Sequence, residues 1–124
     1  MGTTASTTWG NPYSWDAAFS AHVALLNSAG FAGHTDWRLP NVKELVSIVN
    51  YENVGPAVSP AFNTNCISPC TVLTCSCTQA SFYWSSSSYA IYPQFDWNVD
   101  FVDGSVSPNP PASNFFVRAV RGGA

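Results

Sequence analysis

An α+β domain is the fold class this chain predicts, with helices grouped early and short strands grouped late. Three observations predict it. Two stretches with helical spacing, at about 15–28 and 42–50, lie in the first half. A strictly alternating stretch, 95–101, lies in the second half and runs into Asp103-Gly104, a turn pair. Between them, residues 51–80 lose periodicity and hold all four cysteines. A chain of 124 residues is long enough for one domain with an ordinary core.

Residues 1–8 are polar and patternless, and read as a disordered or linker N-terminus ahead of a single domain at 9–124. Trp9-Gly10-Asn11-Pro12 reads as a strand end and a turn. Ser14 can cap the first helix, because its hydroxyl accepts a first-turn N–H that has no helical partner. Asp16 then suits the positive end of the helix dipole. Ala18, Phe19, His22, Val23, Leu25 and Leu26 form the expected buried face, and Gly30 is a natural stop. Trp37-Arg38-Leu39-Pro40 is extended, since proline disfavours helix in the residue before it. Asn41, with Glu44 three places on, makes a capping box for a second helix ending near Asn50. Its core side is Val42, Leu45, Val46, Ile48 and Val49.

Strands resume at Phe82. In 95–101, Phe95, Trp97, Val99 and Phe101 point to one face while Asp96, Asn98 and Asp100 point to the other. That is the pattern of a half-buried strand with one solvated polar face. Asp103-Gly104 turns the chain so that Ser105-Val106-Ser107 pairs back, and a last strand at about 115–121 returns into the same antiparallel sheet.

Charged residues are only 9% of the chain, against about 25% in ordinary domains. The polar surface is therefore Ser, Thr, Asn and Gln, a habit of secreted and surface-exposed bacterial domains. With four Lys and Arg and a net charge of -3, there is no basic stripe for nucleic acid. No apolar run approaches the roughly 20 residues needed to span a bilayer. No basic and apolar leader follows Met1, so an exported protein would carry its leader outside this chain.

The spacing Cys66-x3-Cys70-x4-Cys75-x-Cys77 is the only chemically loaded cluster. Structural zinc prefers two separated Cys-x2-4-Cys knuckles, so two disulfides stapling an exposed loop fit better. Of the three pairings, the one joining Cys75 to Cys77 closes a strained ring. Each bridge would contribute roughly 2–3 kcal/mol by restricting the unfolded loop. No paired carboxylates, Ser-His-Asp set, phosphate loop or HExxH motif is present, and neither His22 nor His34 stands in a pattern that would activate a cysteine or Ser85–Ser88. No enzyme is expected. Asp96, Asn98, Asp100 and Asp103 offer oxygens at alternate positions that could take calcium. A solvated strand face explains them more simply, and no other cofactor is expected. Arg38 and Arg118 are expected to pair with carboxylates such as Glu44 or Asp36, fixing the sheet to the second helix. Trp84 and Trp97 are expected in the core. Tyr89 and Tyr92 are expected to be exposed among serines, as rigid amphipathic contacts beside adaptable hydrogen bonds.

Trp15-Asp16-Ala17-Ala18, Leu26-Asn27-x2-Gly30-x2-Gly33 and Asp36-Trp37-Arg38-Leu39-Pro40-Asn41-Val42-Lys43-Glu44-Leu45 resemble the Lcl C-terminal domain family. In the second half Tyr83-Trp84-Ser85-Ser86-Ser87, Trp97-x-Val99-x-Phe101-x-x-Gly104 and Val117-Arg118-x-Val120-Arg121-Gly122-Gly123 match it too. The resemblance runs over about 9–123 in the right order. It implies a C-type-lectin-like fold, with two helices on a twisted, mostly antiparallel sheet and adjacent termini. It also implies an extracellular binding domain of a bacterial surface protein such as a collagen-like adhesin. Two positions that often carry cysteine in the family are here Val23 and Ala119, consistent with packing in place of a bridge. The Glu-Pro-Asn and Gln-Pro-Asp triplets of calcium-dependent lectins are absent, which counts against calcium-dependent sugar binding.

The function expected is non-catalytic recognition outside the cell, of a glycan or a cell-surface protein. The expected ligand residues are Ser87, Tyr89, Tyr92, Gln94, Asp96, Asn98, Asp100, Ser105 and Asn109, drawn from the 85–96 loop, the polar face of 95–101 and the 105–114 connection. The residues expected to hold the fold are Trp37, Arg38, Glu44, Trp84, Trp97, Arg118 and Arg121. Two alternatives stand beside this reading. One is a lectin-like variable protein randomised by a diversity-generating retroelement. The other is a structural subunit or tip domain of a surface filament, for which a homo-oligomer is the expected form.

Overall fold

The computed structural model describes residues 4–6, 12–63 and 78–121. Cys66, Cys70, Cys75 and Cys77, and with them the choice between disulfides and zinc, lie outside the described residues.

Ser14 is extended (ψ 164°) and its side chain accepts the Ala17 N–H, starting a helix, α1. α1 is α-helical over Trp15–Ala17, π-helical over Ala18–Val23 and α-helical again over Ala24–Ser28. Its span is the expected one, but its buried stripe is narrower. Wider π turns advance each residue through a smaller angle. Ala18, His22, Val23 and Leu26 therefore face inward, while Phe19 and Leu25 are 37% and 63% exposed. Gly30, at φ 60°, ends the helix with its N–H on the Asn27 carbonyl. The Asn27 side chain then clamps the extended segment that follows. Its Oδ1 accepts the Trp37 N–H at 2.7 Å, and its Nδ2 donates to the Trp37 carbonyl at 3.0 Å.

The second helix, α2, spans Val42–Val46 and starts with the full capping box of Asn41 and Glu44. It is shorter than the spacing suggests because Val49 bridges Val58, pulling the chain into extended pairing. Leu45 and Ile48 still reach the core, with Val42, Val46 and Val49 packed against it.

Strands β1 (Thr4–Ser6), β2 (Phe82–Ser88), β3 (Asp96–Asp100), β4 (Ser105–Asn109) and β5 (Arg118–Val120) form two sheets. One is antiparallel in the order β2-β3-β4, and the other pairs β1 with β5. Three expectations change here. Residues 4–6, read as linker, form a strand on β5, with Thr4 opposite Val120. The last strand does not extend the antiparallel sheet. It meets β2 through one parallel bridge, Tyr83 to Phe116, and Val120 bonds both ways with Arg38. The third concerns Val23 and Ala119, which lie in different clusters. The α1 residue packed with Ala119 is Leu26.

Residues directly opposite in a ladder share a face. Tyr83 opposes Val99, and this face packs on Leu45 and Ile48 beside α2. Trp84 opposes Asn98, and this face packs on Ala18 and Val23 of α1 with Leu39 and Val117. The hairpin is thus covered on both sides.

Candidate functional site

Covering both faces changes what the polar residues of β3 do. Asp96 is 2% exposed and Asn98 fully buried, so the solvated polar face expected from alternation does not exist there. Alternation reveals which side chains share a face; whether a second layer covers it depends on distant residues. Buried polar groups need partners, and these find them within the sheet. Asn98 donates to Asn109 Oδ1 at 2.6 Å, and Ser107 Oγ donates to Asn98 Oδ1 at 3.3 Å. Ser88 Oγ donates to Asp96 Oδ1 at 3.1 Å. Burial, with the nearby Asp16 charge, raises the Asp96 carboxyl above its ordinary range despite that bond.

The other expected ligand residues divide by position. Ser87 Oγ accepts the Val42 N–H at 3.0 Å, tying β2 to the start of α2. Asp100 Oδ1 accepts the Val102 N–H, and Ser105 is exposed beside it, both at the far end of β3. Asp103 Oδ1 accepts the Ser105 N–H, which lowers its own carboxyl. Among the described residues no three of His, Cys, Asp and Glu stand together.

Tyr89, Tyr92 and Gln94 all lie in the loop between β2 and β3, which brings the two tyrosines together. The register shifts between Trp84 and Ser88, and Ser85 Oγ donates to the Trp97 carbonyl at 2.7 Å. The loop then closes on itself, with the Tyr89 N–H on the Phe95 carbonyl and the Phe95 N–H on the Tyr92 carbonyl, both 2.8 Å. Its rings stack in series. Tyr89 lies on Trp97 at 5.0 Å with 27° between planes, and Tyr92 stands edge-on to Tyr89 at 6.1 Å. Phe95 lies 6.2 Å from Tyr92. Trp97, expected in the core, is half-buried and serves as the base of this stack, whereas Trp84 is fully buried. Tyr92 is 56% exposed and Ile91 70%. Ile91 was not singled out from the sequence. Its signal is its place beside Tyr92 in 82–95, a run without a single charged residue.

The cations are held elsewhere. Arg38 grips Glu44 with both terminal nitrogens, at 2.7 and 2.6 Å. That fork, helped by the Asn41 N–H, pulls the Glu44 carboxyl down to about 2. Arg121 pairs with Asp36 at 3.0 Å, the carboxylate that Arg118 was expected to share. Arg118 is instead buried, donating to Thr78 Oγ1 at 2.8 Å with the Phe62 ring 5.8 Å away. Burial lowers its pKa. Trp37 is buried, its indole N–H on the Phe31 carbonyl. His22 is 5% exposed and tilted against Tyr13, and its Nε2 has no partner among the described residues. Burial lowers it to about 4.

The family description that matches this chain is the Lcl C-terminal domain, over residues 3–121. No curated protein and no solved structure matches it.

Proposed function

We propose that this chain, which belongs to the Lcl C-terminal domain family, is the recognition domain of a surface protein and holds an external ligand at its β2–β3 loop. The carrying observation is the ring series Trp97–Tyr89–Tyr92 with Ile91 and Tyr92 open at its tip. Large side chains left in water on a braced loop are what a binding surface needs, since little ordering remains to be done on contact. The domain acts by binding, not by catalysis. In support, His22 is buried against Tyr13, and the Ser85 hydroxyl is spent on the Trp97 carbonyl. The two covered faces, the paired β1 and β5 and the antiparallel β2-β3-β4 sheet support a C-type-lectin-like arrangement. The setting is extracellular, and among the described residues no helix is long and apolar enough to cross a membrane.

The test is binding of the purified domain to a panel of immobilised extracellular proteins and glycans, comparing wild type with Tyr92→Ala and Ile91→Ser. Loss of binding with an unchanged melting temperature is expected. Binding undiminished in both variants would rule the loop out.

An assembly role has its own supporting observation. Tyr51, Val54 and Val102 are 71%, 73% and 40% exposed at the opposite end of β3. Light scattering after size exclusion distinguishes the two readings, with a monomer expected from recognition.

A further inference from the structure

Resting on the reading of the β2–β3 loop as the ligand site, we infer that its ligand is an uncharged pyranose sugar, stacked by its C–H face on Tyr92 and flanked by Ile91 and Gln94. Charge comes first. The loop and its strand, 82–95, contain no charged residue, and the neighbouring Asp96 is buried. Arg38 and Arg121 are closed on carboxylates and Arg118 is buried, which leaves Lys43, exposed on α2, as the remaining cation. With a net charge of -3, nothing draws a sulfated or carboxylated polymer to this loop.

Shape comes second. The face of an aromatic ring is the negative part of its quadrupole and accepts weakly positive C–H groups. A pyranose presents such groups on one side and hydroxyls around its rim. Tyr92 is 56% exposed, Tyr89 stands against it with Trp97 stacked behind Tyr89, and the exposed Gln94, two residues on, can exchange hydrogen bonds with the rim. Size comes third. A protein partner typically covers about 800 Å² of each surface. The open apolar part of this loop is two side chains, the scale of one or two sugar rings.

The experiment is calorimetric titration with neutral hexasaccharides of glucose, galactose, mannose and N-acetylglucosamine, and with a heparin hexasaccharide. Wild type, Tyr92→Ala and Tyr92→Phe are compared at low and high salt. The expected result is binding of a neutral hexasaccharide, changed less than twofold between about 50 mM and 0.5 M salt, since no screened charge contributes. Tyr92→Ala should weaken it at least about tenfold, a loss of about 1.4 kcal/mol, and Tyr92→Phe should retain most of it. Preference for heparin, with affinity collapsing in high salt, would overturn the inference. So would failure of every hexasaccharide, and if immobilised proteins were then bound in a Tyr92-dependent way, the loop would remain the site with a different ligand class. Neutral-sugar binding unaltered in Tyr92→Ala would overturn both.

Discussion

The two ends of β3 both leave large apolar side chains in water, yet they are built by different means. At the 101–104 end the chain is locked into the core. Phe101 is fully buried, its carbonyl accepts the Ala57 N–H at 2.7 Å, and the Gly55 N–H bonds Val102. Gly104 makes that closure possible. It sits at φ 85°, and a β-carbon there would lie 2.6 Å from Val49 Cγ1 and 2.9 Å from Tyr51 Cε1. At the 89–95 end two backbone hydrogen bonds and a run of ring contacts hold the loop, and no residue from 89 to 95 enters a core cluster. One end carries stability and the other is free to carry specificity. Changes at the second need not disturb the fold held at the first, which suits the recognition role proposed for the loop.

That division can be broken by substitution. Gly104→Val should cost the most, about 4 kcal/mol, combining left-handed strain with overpacking against Val49 and Tyr51. Urea unfolding measures it, and a loss under 1 kcal/mol would mean the 101–104 end is not locked. Acid probes the support shared by both ends. His22 is held neutral in the fold, its pKa lowered from 6.5 to about 4. The unfolded chain therefore binds the extra proton. The penalty is absent above pH 6.5, grows as pH falls and is complete below about 4. It amounts to up to about 3 kcal/mol, and His22→Phe should flatten the stability profile across that window.

Glu44→Gln sharpens the comparison closer to the loop, because α2 is tied to β2 through Ser87. The Glu44 carboxyl is lowered from 4.5 to about 2, so its contribution is present above pH 4.5 and fades as pH falls toward 2. Arg38 is 35% open to water, which discounts the pair to about 1–2 kcal/mol. The gap between wild-type and variant urea midpoints at pH 7 should narrow by about half at pH 3, which lies within that window. Tyr92→Ala should be the mildest for folding, below about 0.5 kcal/mol, while removing ligand binding. A large drop in its melting temperature would erase the distinction between the two ends.

Much of this frame was readable beforehand where chemistry is local. Ser14 capping, the Asn41–Glu44 box, the Gly30 stop and the Asp103-Gly104 turn are each decided by neighbours within a few residues. Arg38 with Glu44 was readable because the capping box brings them within reach. What escaped depends on distance along the chain. The burial of Asp96 and Asn98 follows from α1 lying over the Trp84 face, some 80 residues away in sequence. The pairing of Asp36 with Arg121 and not Arg118 joins positions 85 residues apart, and the rotation of Leu25 into water follows from a π segment that no composition signal marks. In the loop, the tyrosines were legible by type, but Trp97 as their support was not.

The β1–β5 pairing has a mechanical consequence. Thr4 and Val120 face each other at one end of an antiparallel ladder, so tension pulling these two residues apart loads its rungs one at a time rather than together. Under flow or traction the ribbon would peel like a zip at modest force. The β2-β3-β4 sheet, which lies outside that ladder, would be spared.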